Sequence, residues 1–348
     1  MIRTDLKSMS LEELKKEFLK IGEKPYRGLQ LYNYMHKNMN SDILNINSFS
    51  KELRDKLNRD YYISDLKILE RFDSKLDGTK KYLFLLEDNN IIEGVAMKYK
   101  YGYSACISTQ VGCRMGCSFC ASTKEGIIRN ITPGEMLSEI YNIQRNLGIR
   151  LSNIVLMGSG EPLDNYLNVM KMLRILNDKN GQNFSFRNVT ISTCGIVHKI
   201  YQLADEEIPV TLSVSLHFPF NELRSKIMPI NNKYHIEEII KACKYYVNRT
   251  NRRVTFEYTL IEGLNDGREC LDELKRILNG LLCHVNIIPL NPIKEFKYKK
   301  PEMDAVKIFV KELNKNGIPA TVRRQMGADI DAACGQLRRS YMNEKGLL

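Results

Sequence analysis

Three cysteines are spaced closely enough to bind a metal centre from a single loop. Cys113, Cys117 and Cys120 form a CxxxCxxC pattern with small residues between and beside them. Three thiolates leave one iron of a [4Fe–4S] cluster without a protein ligand, so that a small molecule can bind there and be reduced. A zinc site is the alternative, but zinc ribbons usually add a second CxxC or HxxxH pair, and this sequence has neither. The spacing favours the cluster.

The charge balance points to a polyanionic partner. The 348 residues include 52 Lys and Arg against 41 Asp and Glu, a formal net charge of +11. Nucleic acid is the simplest partner for such an excess, because lysine and arginine neutralise phosphates. The positive charge is concentrated briefly at Lys294, Lys297, Lys299 and Lys300, which is either a phosphate contact or a solvated loop.

Cysteine usage and hydropathy indicate the compartment. The nine cysteines are an odd number, and residues 1–10 lack the charged-then-apolar pattern of a leader. No stretch approaches the ~20 apolar residues that a membrane span requires. We therefore expect a cytoplasmic protein with reduced thiols and no membrane association.

The first hundred residues contain two kinds of pattern. Residues 1–62 favour helices, with a capping box at Ser10 and Glu13 and a second helix that begins at Pro25. Residues 63–101 change to the two-residue period of a small antiparallel sheet, with a turn at Asp77 and Gly78.

Strand and helix patterns alternate over residues 102–320. Predicted strands are Ala105–Gln110, Asn153–Gly158, Asn188–Thr193, Val210–His217, Arg253–Ile261 and His284–Asn291. Predicted helices include Pro133–Leu147, Asn165–Leu176, Ile236–Asn248, Gly267–Leu278 and Glu302–Asn316. Six strand–helix units imply parallel pairing, in an open doubly wound sheet or in a barrel. Polar residues recur at the carboxyl ends of the strands, where a barrel places its active site, so we predict an α/β fold with a partial (β/α)6 barrel. Residues 321–348 form a C-terminal extension.

The cysteine loop and the element after the second barrel strand resemble the radical S-adenosylmethionine (SAM) superfamily. Phe119, beside the last cysteine, matches the aromatic residue common there, and Gly158–Pro162 is similar to the Gly-rich Glu-Pro element that receives the SAM amino group. Three further runs resemble the RlmN/Cfr family of RNA adenine methyltransferases. They are the segment around Glu93, the run Cys106–Cys113 and the tail Asp329–Leu337.

Two short segments resemble the RlmN branch rather than the Cfr branch of that family. They are Ala121–Thr123 and Val322–Gln325, the latter followed by Gly327. The RlmN branch methylates carbon 2 of adenosine 2503 in 23S rRNA and of adenosine 37 in tRNAs, whereas the Cfr branch methylates carbon 8 of the same rRNA adenosine and gives antibiotic resistance. Carbon 2 lies between two ring nitrogens and is electron-poor, so a radical route is needed there.

The resemblance implies roles for three residues outside the cluster loop. Cys334 takes a methyl group from one SAM, and a second SAM in each turnover activates that methyl for addition to the base. The resulting covalent protein–RNA intermediate is resolved with Cys106, which leaves a Cys106–Cys334 disulfide for a reductant to open. Glu93 corresponds to a proton acceptor, although Cys106 is an alternative for that step.

The resemblance also implies the cofactor contacts and the partners. One three-cysteine [4Fe–4S] cluster and SAM are expected as cofactors, and 23S rRNA, tRNA, a flavodoxin or ferredoxin and a disulfide reductant as partners of a monomer. The residues that match SAM-contacting motifs are Gly160, Glu161, Ser192, Ser215, Leu216, His217 and Asn291. Cys194 departs from the small residue often found there, and Cys243, Cys270 and Cys283 are read as structural.

Two other classes of function remain open from the residues alone. One is a zinc-stabilised RNA-binding protein without catalysis. The other is a radical SAM enzyme that activates a partner protein through a glycyl radical, for which Cys334 has no role.

Overall fold

Helices and strands alternate along most of the chain in the computed structural model, which describes residues 3–290 and 298–332. The helices are α1 (Leu11–Lys20), α2 (Pro25–Tyr32), α3 (Lys51–Asp60), α4 (Pro133–Leu147), α5 (Tyr166–Asn177), α6 (Val197–Asp205), α7 (Asn221–Ile227), α8 (Ile236–Thr250), α9 (Arg268–Leu278) and α10 (Met303–Lys315). The strands are β1 (Thr4–Asp5), β2 (Tyr61–Tyr62), β3 (Lys67–Asp73), β4 (Lys80–Leu85), β5 (Ile91–Tyr99), β6 (Gly102–Cys106), β7 (Gln110–Gly112), β8 (Ile127–Asn130), β9 (Asn153–Leu156), β10 (Val189–Thr193), β11 (Thr211–Ser215), β12 (Val254–Leu260), β13 (Cys283–Pro289) and β14 (Ala320–Val322).

One large sheet organises the described residues. Its strands pair in the order β14-β13-β12-β11-β10-β9-β6-β5-β4-β3. Pairing is parallel from β14 to β6 and antiparallel from β6 to β3. The six predicted barrel strands correspond to β6 and β9–β13, and the predicted α/β class is confirmed. The short strand β14 adds a seventh parallel member, and the antiparallel strands continue the same sheet.

The parallel part of the sheet curls into a partial barrel. Arg323 follows β14, and its guanidinium donates to the sulfur of Met157, which follows β9, at 3.5 Å. Those strands are five positions apart in the sheet, which in a flat sheet is roughly 24 Å at ~4.8 Å per strand. The contact therefore requires strong curvature, and it brings the carboxyl ends of these strands together.

The N-terminal helices pack on the outer layer of the barrel. Ser10 and Glu13 form the predicted capping box at the start of α1, and Pro25 is the first residue of α2. The buried Lys7 ammonium donates to the hydroxyl of Ser138 on α4 at 2.8 Å. These contacts fix the N-terminal part against the barrel. No helix in the described part of the chain has the length and apolar character to cross a membrane.

The first predicted barrel strand is divided in two. β6 ends at Cys106, and Gln110 begins β7, which leaves the large sheet and pairs antiparallel with β8. The N–H groups of Thr109 and Gln110 both donate to the carbonyl of Ser159, which turns the chain away from β9. The β7–β8 pair and the helices α6 and α7 are not among the elements that the sequence patterns predict.

Candidate active site

The cysteine loop is the connection of the β7–β8 hairpin. Cys113 donates its N–H to the carbonyl of Gly126 at 2.8 Å, which closes the base of the loop. Gly112 has φ +76°, and a Cβ there would collide with that same carbonyl. Gly116 also has a positive φ, +71°. The glycines flanking the first cysteine therefore allow a tight loop that a side chain would prevent.

Hydrogen bonds to the backbone hold the cysteine loop in place. Cys113 and Cys117 are buried and Cys120 is half-buried. The hydroxyl of Thr123 donates to the carbonyls of Cys117 at 3.1 Å and Cys120 at 3.0 Å. Ser118 donates its N–H to the carbonyl of Ile227 at 2.9 Å, which fastens the loop to α7.

The donor set fits an iron–sulfur cluster. Burial raises the pKa of Cys113 to about 12 and also raises the pKa of Cys117 and Cys120, so the buried thiols need a cation to become thiolates. Among the described residues, no group of three or more His, Cys, Asp or Glu is placed to hold one metal ion. A cluster does not need such convergence, because each cysteine binds a different iron.

The Gly-rich segment after β9 is tied to the strand that leads into the cysteine loop. Gly160 has φ +102°, and a Cβ there would lie 2.5 Å from the Cβ of Gln110. Glu161 donates its N–H to the side-chain oxygen of Gln110 at 2.9 Å. The carbonyl of Ser159 also accepts the N–H groups of Thr109 and Gln110. This segment and the cysteine loop therefore form one unit.

Glu161 is a buried carboxylate beside the cysteine loop. One oxygen accepts the N–H of Cys194 at 2.8 Å, and the other accepts the N–H of Leu163 at 3.1 Å. Burial raises its pKa, an effect that these hydrogen bonds oppose. Each carboxylate oxygen has two lone pairs, so Glu161 can still accept a hydrogen bond from a ligand ammonium.

His217 joins the end of β11 to the cysteine loop. Its backbone has φ +56°, the left-handed region that non-glycine residues seldom adopt. Its Nδ1 accepts the N–H of Thr259 at 3.0 Å, and burial lowers its pKa to about 3. The ring is therefore neutral with its proton on Nε2. Its ring lies nearly perpendicular to the ring of Phe119, with 5.0 Å between the centroids.

Arg224 on α7 clamps two strand ends of the site, and sequence reasoning missed it. None of its surface is exposed. Its guanidinium donates to the carbonyls of Cys194 at 2.6 Å, Ser215 at 3.1 Å and Leu216 at 3.1 Å. Burial lowers its pKa to about 10, which still leaves it charged at neutral pH. A charged residue in a polar helical run is usually solvated, so the sequence contains no signal for this role.

Glu257 on β12 is the centre of a second polar group inside the barrel. It accepts from the hydroxyl of Ser213 at 2.8 Å and from the amide of Asn286 at 3.1 Å, and Arg323 lies 3.5 Å away. Ser192 is half-buried on β10, where it pairs in register with Ser213. Glu257 was also missed, because its strand alternates apolar and polar residues, a pattern that predicts a solvated face for Glu257.

Glu93 and Cys106 lie on neighbouring antiparallel strands. Val95 pairs directly with Cys106, and Glu93 is two residues from Val95 on β5, so all three side chains share one face of the sheet. The Glu93 carboxylate lies 3.2 Å from the ammonium of Lys81, and both side chains are buried. Cys106 is half-buried. Asn291 and Cys334 lie outside the described residues.

Comparisons with known proteins agree with this geometry. Residues 107–277 match the family model for the radical SAM superfamily, and residues 4–63 match that for the ribosomal RNA large subunit methyltransferase N-terminal domain. The chain is 52% identical over 341 residues to a probable dual-specificity RNA methyltransferase RlmN of Thermoanaerobacter sp. (strain X514), covering 98% of this chain and 99% of that protein. It is 52% identical over 337 residues to the protein of the same name from Clostridioides difficile (strain 630), covering 97% and 98%. A crystal structure of a radical SAM methyltransferase from Sphaerobacter thermophilus superposes with a TM-score of 0.91 and 42% identity over 96% of this chain and 98% of that one.

Proposed function

Because the chain belongs to the RlmN family of radical SAM methyltransferases, we propose that it methylates carbon 2 of adenosine 2503 in 23S rRNA and of adenosine 37 in tRNAs. The observation that carries the proposal is the position of the three-cysteine loop, which is tied to Glu161 through Gln110 and to His217 through Phe119 at the carboxyl ends of the barrel strands. Identity of about half the residues over nearly the whole chain supports it.

The residues around the cysteine loop would hold the two cofactors of the family. Radical SAM enzymes use a [4Fe–4S] cluster and SAM, which together supply one-electron reduction and abstraction of a hydrogen atom. Cys113, Cys117 and Cys120 would bind the cluster. Glu161 would accept a hydrogen bond from the SAM ammonium, and the Nε2–H of His217 would donate one. The other SAM contacts proposed from the motifs are Gly160, Ser192, Ser215, Leu216 and Asn291.

Cys334, Cys106 and Glu93 would carry the group transfer. The Cys334 thiolate takes a methyl group from one SAM. With the cluster and SAM bound, the Cys334 methyl group would lose a hydrogen atom and its carbon would bond to the base. The C2 proton would then leave together with one electron, which the oxidised cluster would accept. Glu93 or Cys106 takes the proton. The Cys106 thiolate then attacks the Cys334 sulfur, the sulfur–carbon bond breaks, and its electron pair stays on the carbon, which takes up a proton. The resulting disulfide needs an external dithiol reductant.

The RNA side of the proposal rests on charge and on the N-terminal module. Residues 1–62 would be an RNA-binding accessory domain, residues 63–101 a linking sheet, 102–320 the barrel and 321–348 the extension with the methyl carrier. The adenine must leave its stack to reach the barrel, as for other enzymes that act on bases. A flavodoxin or ferredoxin would supply electrons to a monomer in the cytoplasm.

Nucleoside analysis tests the proposal directly. A strain that lacks the gene is complemented with this chain, and the rRNA and tRNA nucleosides are measured by mass spectrometry. Return of 2-methyladenosine is the expected result. 8-Methyladenosine in its place would assign the chain to the Cfr branch instead.

Metal analysis separates the proposal from a non-catalytic RNA-binding protein. After anaerobic purification we expect a brown protein with about four irons and four sulfides per chain. A colourless protein with one zinc ion would contradict the proposal. Cys113→Ser should lower the iron content sharply, whereas Cys283→Ser, a buried cysteine on β13, is the matched control.

A further inference from the structure

A short segment after β14 lies on the turn between β3 and β4. We call residues 327–331 the crossing segment, because β14 and β3 are the two edge strands of the large sheet. Gly327 donates its N–H to Asp77 at 2.9 Å. Asp329 accepts from the hydroxyl of Ser74 at 2.6 Å. These contacts bring the C-terminal part of the described chain next to β4, the strand that pairs with β5 and its Glu93.

Lys81 on β4 links the crossing segment to Glu93. None of its surface is exposed. Its ammonium donates to the carbonyl of Asp331 at 2.7 Å and lies 3.2 Å from a carboxylate oxygen of Glu93. A buried ammonium is strongly unfavourable unless it is both paired with an anion and hydrogen-bonded. Here Glu93 supplies the anion and the crossing segment supplies an acceptor.

We propose that Lys81 is a positioning residue that couples docking of the crossing segment to the charge on Glu93. The inference rests on the proposed function, in which Glu93 is a candidate proton acceptor and Cys334 carries the methyl group. Cys334 follows Asp331 by three residues, so the covalent chain keeps it within about 11 Å of Asp331. Fixing the carbonyl of Asp331 therefore limits where the methyl carrier can be.

The coupling acts in both directions. When the crossing segment is docked, the ammonium has its carbonyl acceptor and stays beside Glu93. The Cys334 thiol must reach SAM, the RNA and a reductant, which requires the crossing segment to leave its docked position. Lys81 then loses that acceptor. Linkage requires the converse as well: loss of the negative charge on Glu93 weakens docking of the segment.

Hydrogen exchange on the full-length protein tests the anchoring. In Lys81→Met we expect the amides of Gly327, Ile330 and Ala332 to exchange about tenfold to a hundredfold faster, the loss expected for one charge-assisted hydrogen bond. Lys80→Met is the matched control, since Lys80 is on the same strand and pairs with Asp73 at 3.2 Å. Unchanged exchange in Lys81→Met would overturn the inference.

Removing the charge of Glu93 is an independent test of the coupling, and it can be made even if Lys81→Met does not fold. In Glu93→Gln the ammonium loses its anion, and exchange in the crossing segment should again accelerate about tenfold or more. Glu70→Gln on β3 is the control for a carboxylate on the same sheet, and β12 amides report that the barrel is intact. Acceleration in Lys81→Met but not in Glu93→Gln would contradict the coupling.

Kinetics then separate positioning from a general structural role. Lys81→Met should lower kcat for RNA methylation about tenfold or more while the KM for SAM stays unchanged, because the SAM site is on other strands. An equal kcat in Lys81→Met and Lys80→Met would overturn the inference. If the wild-type chain methylates no adenosine, the proposed function fails, whereas the exchange results still decide whether Lys81 anchors the segment.

Discussion

The carboxylate of Glu161 accepts the backbone N–H of Cys194 at 2.8 Å. Glu161 follows β9 and Cys194 follows β10, so one buried side chain joins the ends of two neighbouring strands. Arg224 binds the carbonyl of the same cysteine at 2.6 Å. The peptide groups of Cys194 are thus held by a buried anion on one side and a buried cation on the other. This arrangement fixes the backbone at Cys194, which lies beside the cysteine loop.

Glu161→Gln should weaken SAM binding without loss of the cluster. The glutamine side chain carries no negative charge, and its NH2 group would face a backbone N–H. A lost hydrogen bond to a charged group is about 1.5–3 kcal/mol, or roughly tenfold to a hundredfold in Kd. Equilibrium dialysis of SAM against the anaerobic protein measures this change. Glu222→Gln, an exposed carboxylate on α7, should bind SAM as the wild type does. Equal Kd values for the two variants would show that Glu161 does not contact SAM.

Arg224→Met should destabilise the barrel more than a surface arginine variant does. Methionine keeps most of the volume but leaves buried carbonyls without donors, each at ~1–3 kcal/mol. Thermal unfolding should therefore show a Tm lower by several degrees. Arg249→Met is the control, because Arg249 is about half exposed and pairs with surface acids. A Tm for Arg224→Met within one degree or so of the control would contradict the clamp.

Much of the fold could be predicted because the alternation of strands and helices, the caps and the helix-opening prolines are local signals. Pro133–Leu147 is found with the predicted bounds, and Gly148 ends that helix with φ +61°. The cysteine loop and the Gly158–Pro162 segment could be located because metal and cofactor motifs depend on short spacings. These signals do not depend on distant parts of the chain.

The residues that were missed are buried charges, and their partners lie on other elements of the fold. Arg224 binds backbone carbonyls on two strands, and Lys81 reaches Asp331 across 250 positions. A lysine or arginine is most often solvated, so its residue type predicts the surface. The β7–β8 hairpin was missed because no glycine or proline separates β6 from β7, so that residues 105–110 have the pattern of one strand. Only the hydrogen bonds to Ser159 show where the chain turns away.

Acid should destabilise the protein through two buried histidines. Burial lowers the pKa of His36 and of His217 to about 3, below the ordinary value of 6.5. Their contribution is therefore fully present above pH 6.5 and is lost as the pH falls toward 3. In urea unfolding, each of the two histidines should lower the free energy of unfolding by up to ~1.4 kcal/mol per pH unit between pH 7.5 and 5. The buried carboxyls of Glu139 and Glu161, whose pKa burial raises, contribute in the opposite sense.

His36→Asn should flatten this pH dependence. One of the two buried histidines is removed, so the slope of the free energy of unfolding against pH should change by up to ~1.4 kcal/mol per unit. His235→Asn is the control, since His235 is exposed at the start of α8 and asparagine also caps helices well. Identical slopes for wild type and His36→Asn would mean that His36 does not titrate as a buried neutral group.

Gly160→Ala should disturb the Gly-rich segment after β9 without unfolding the barrel. A residue with a Cβ is strained at φ +102° and would collide with Gln110, so the segment must shift. We expect weaker SAM binding and a loss of about 2 kcal/mol or more in stability. Gly267→Ala is the control, because nothing lies within 4 Å of a Cβ at that position. Equal SAM affinity in both variants would contradict the close approach.

The proposed mechanism requires the sulfur of Cys334 to carry the methyl group to the base. The most direct measurement compares Cys334→Ala with Cys243→Ala, a buried cysteine on α8, in an anaerobic methylation assay on rRNA fragments read by nucleoside mass spectrometry. We expect no methylated adenosine with Cys334→Ala and wild-type amounts with Cys243→Ala, both with normal iron content. Wild-type amounts of methylated adenosine from Cys334→Ala would contradict the mechanism.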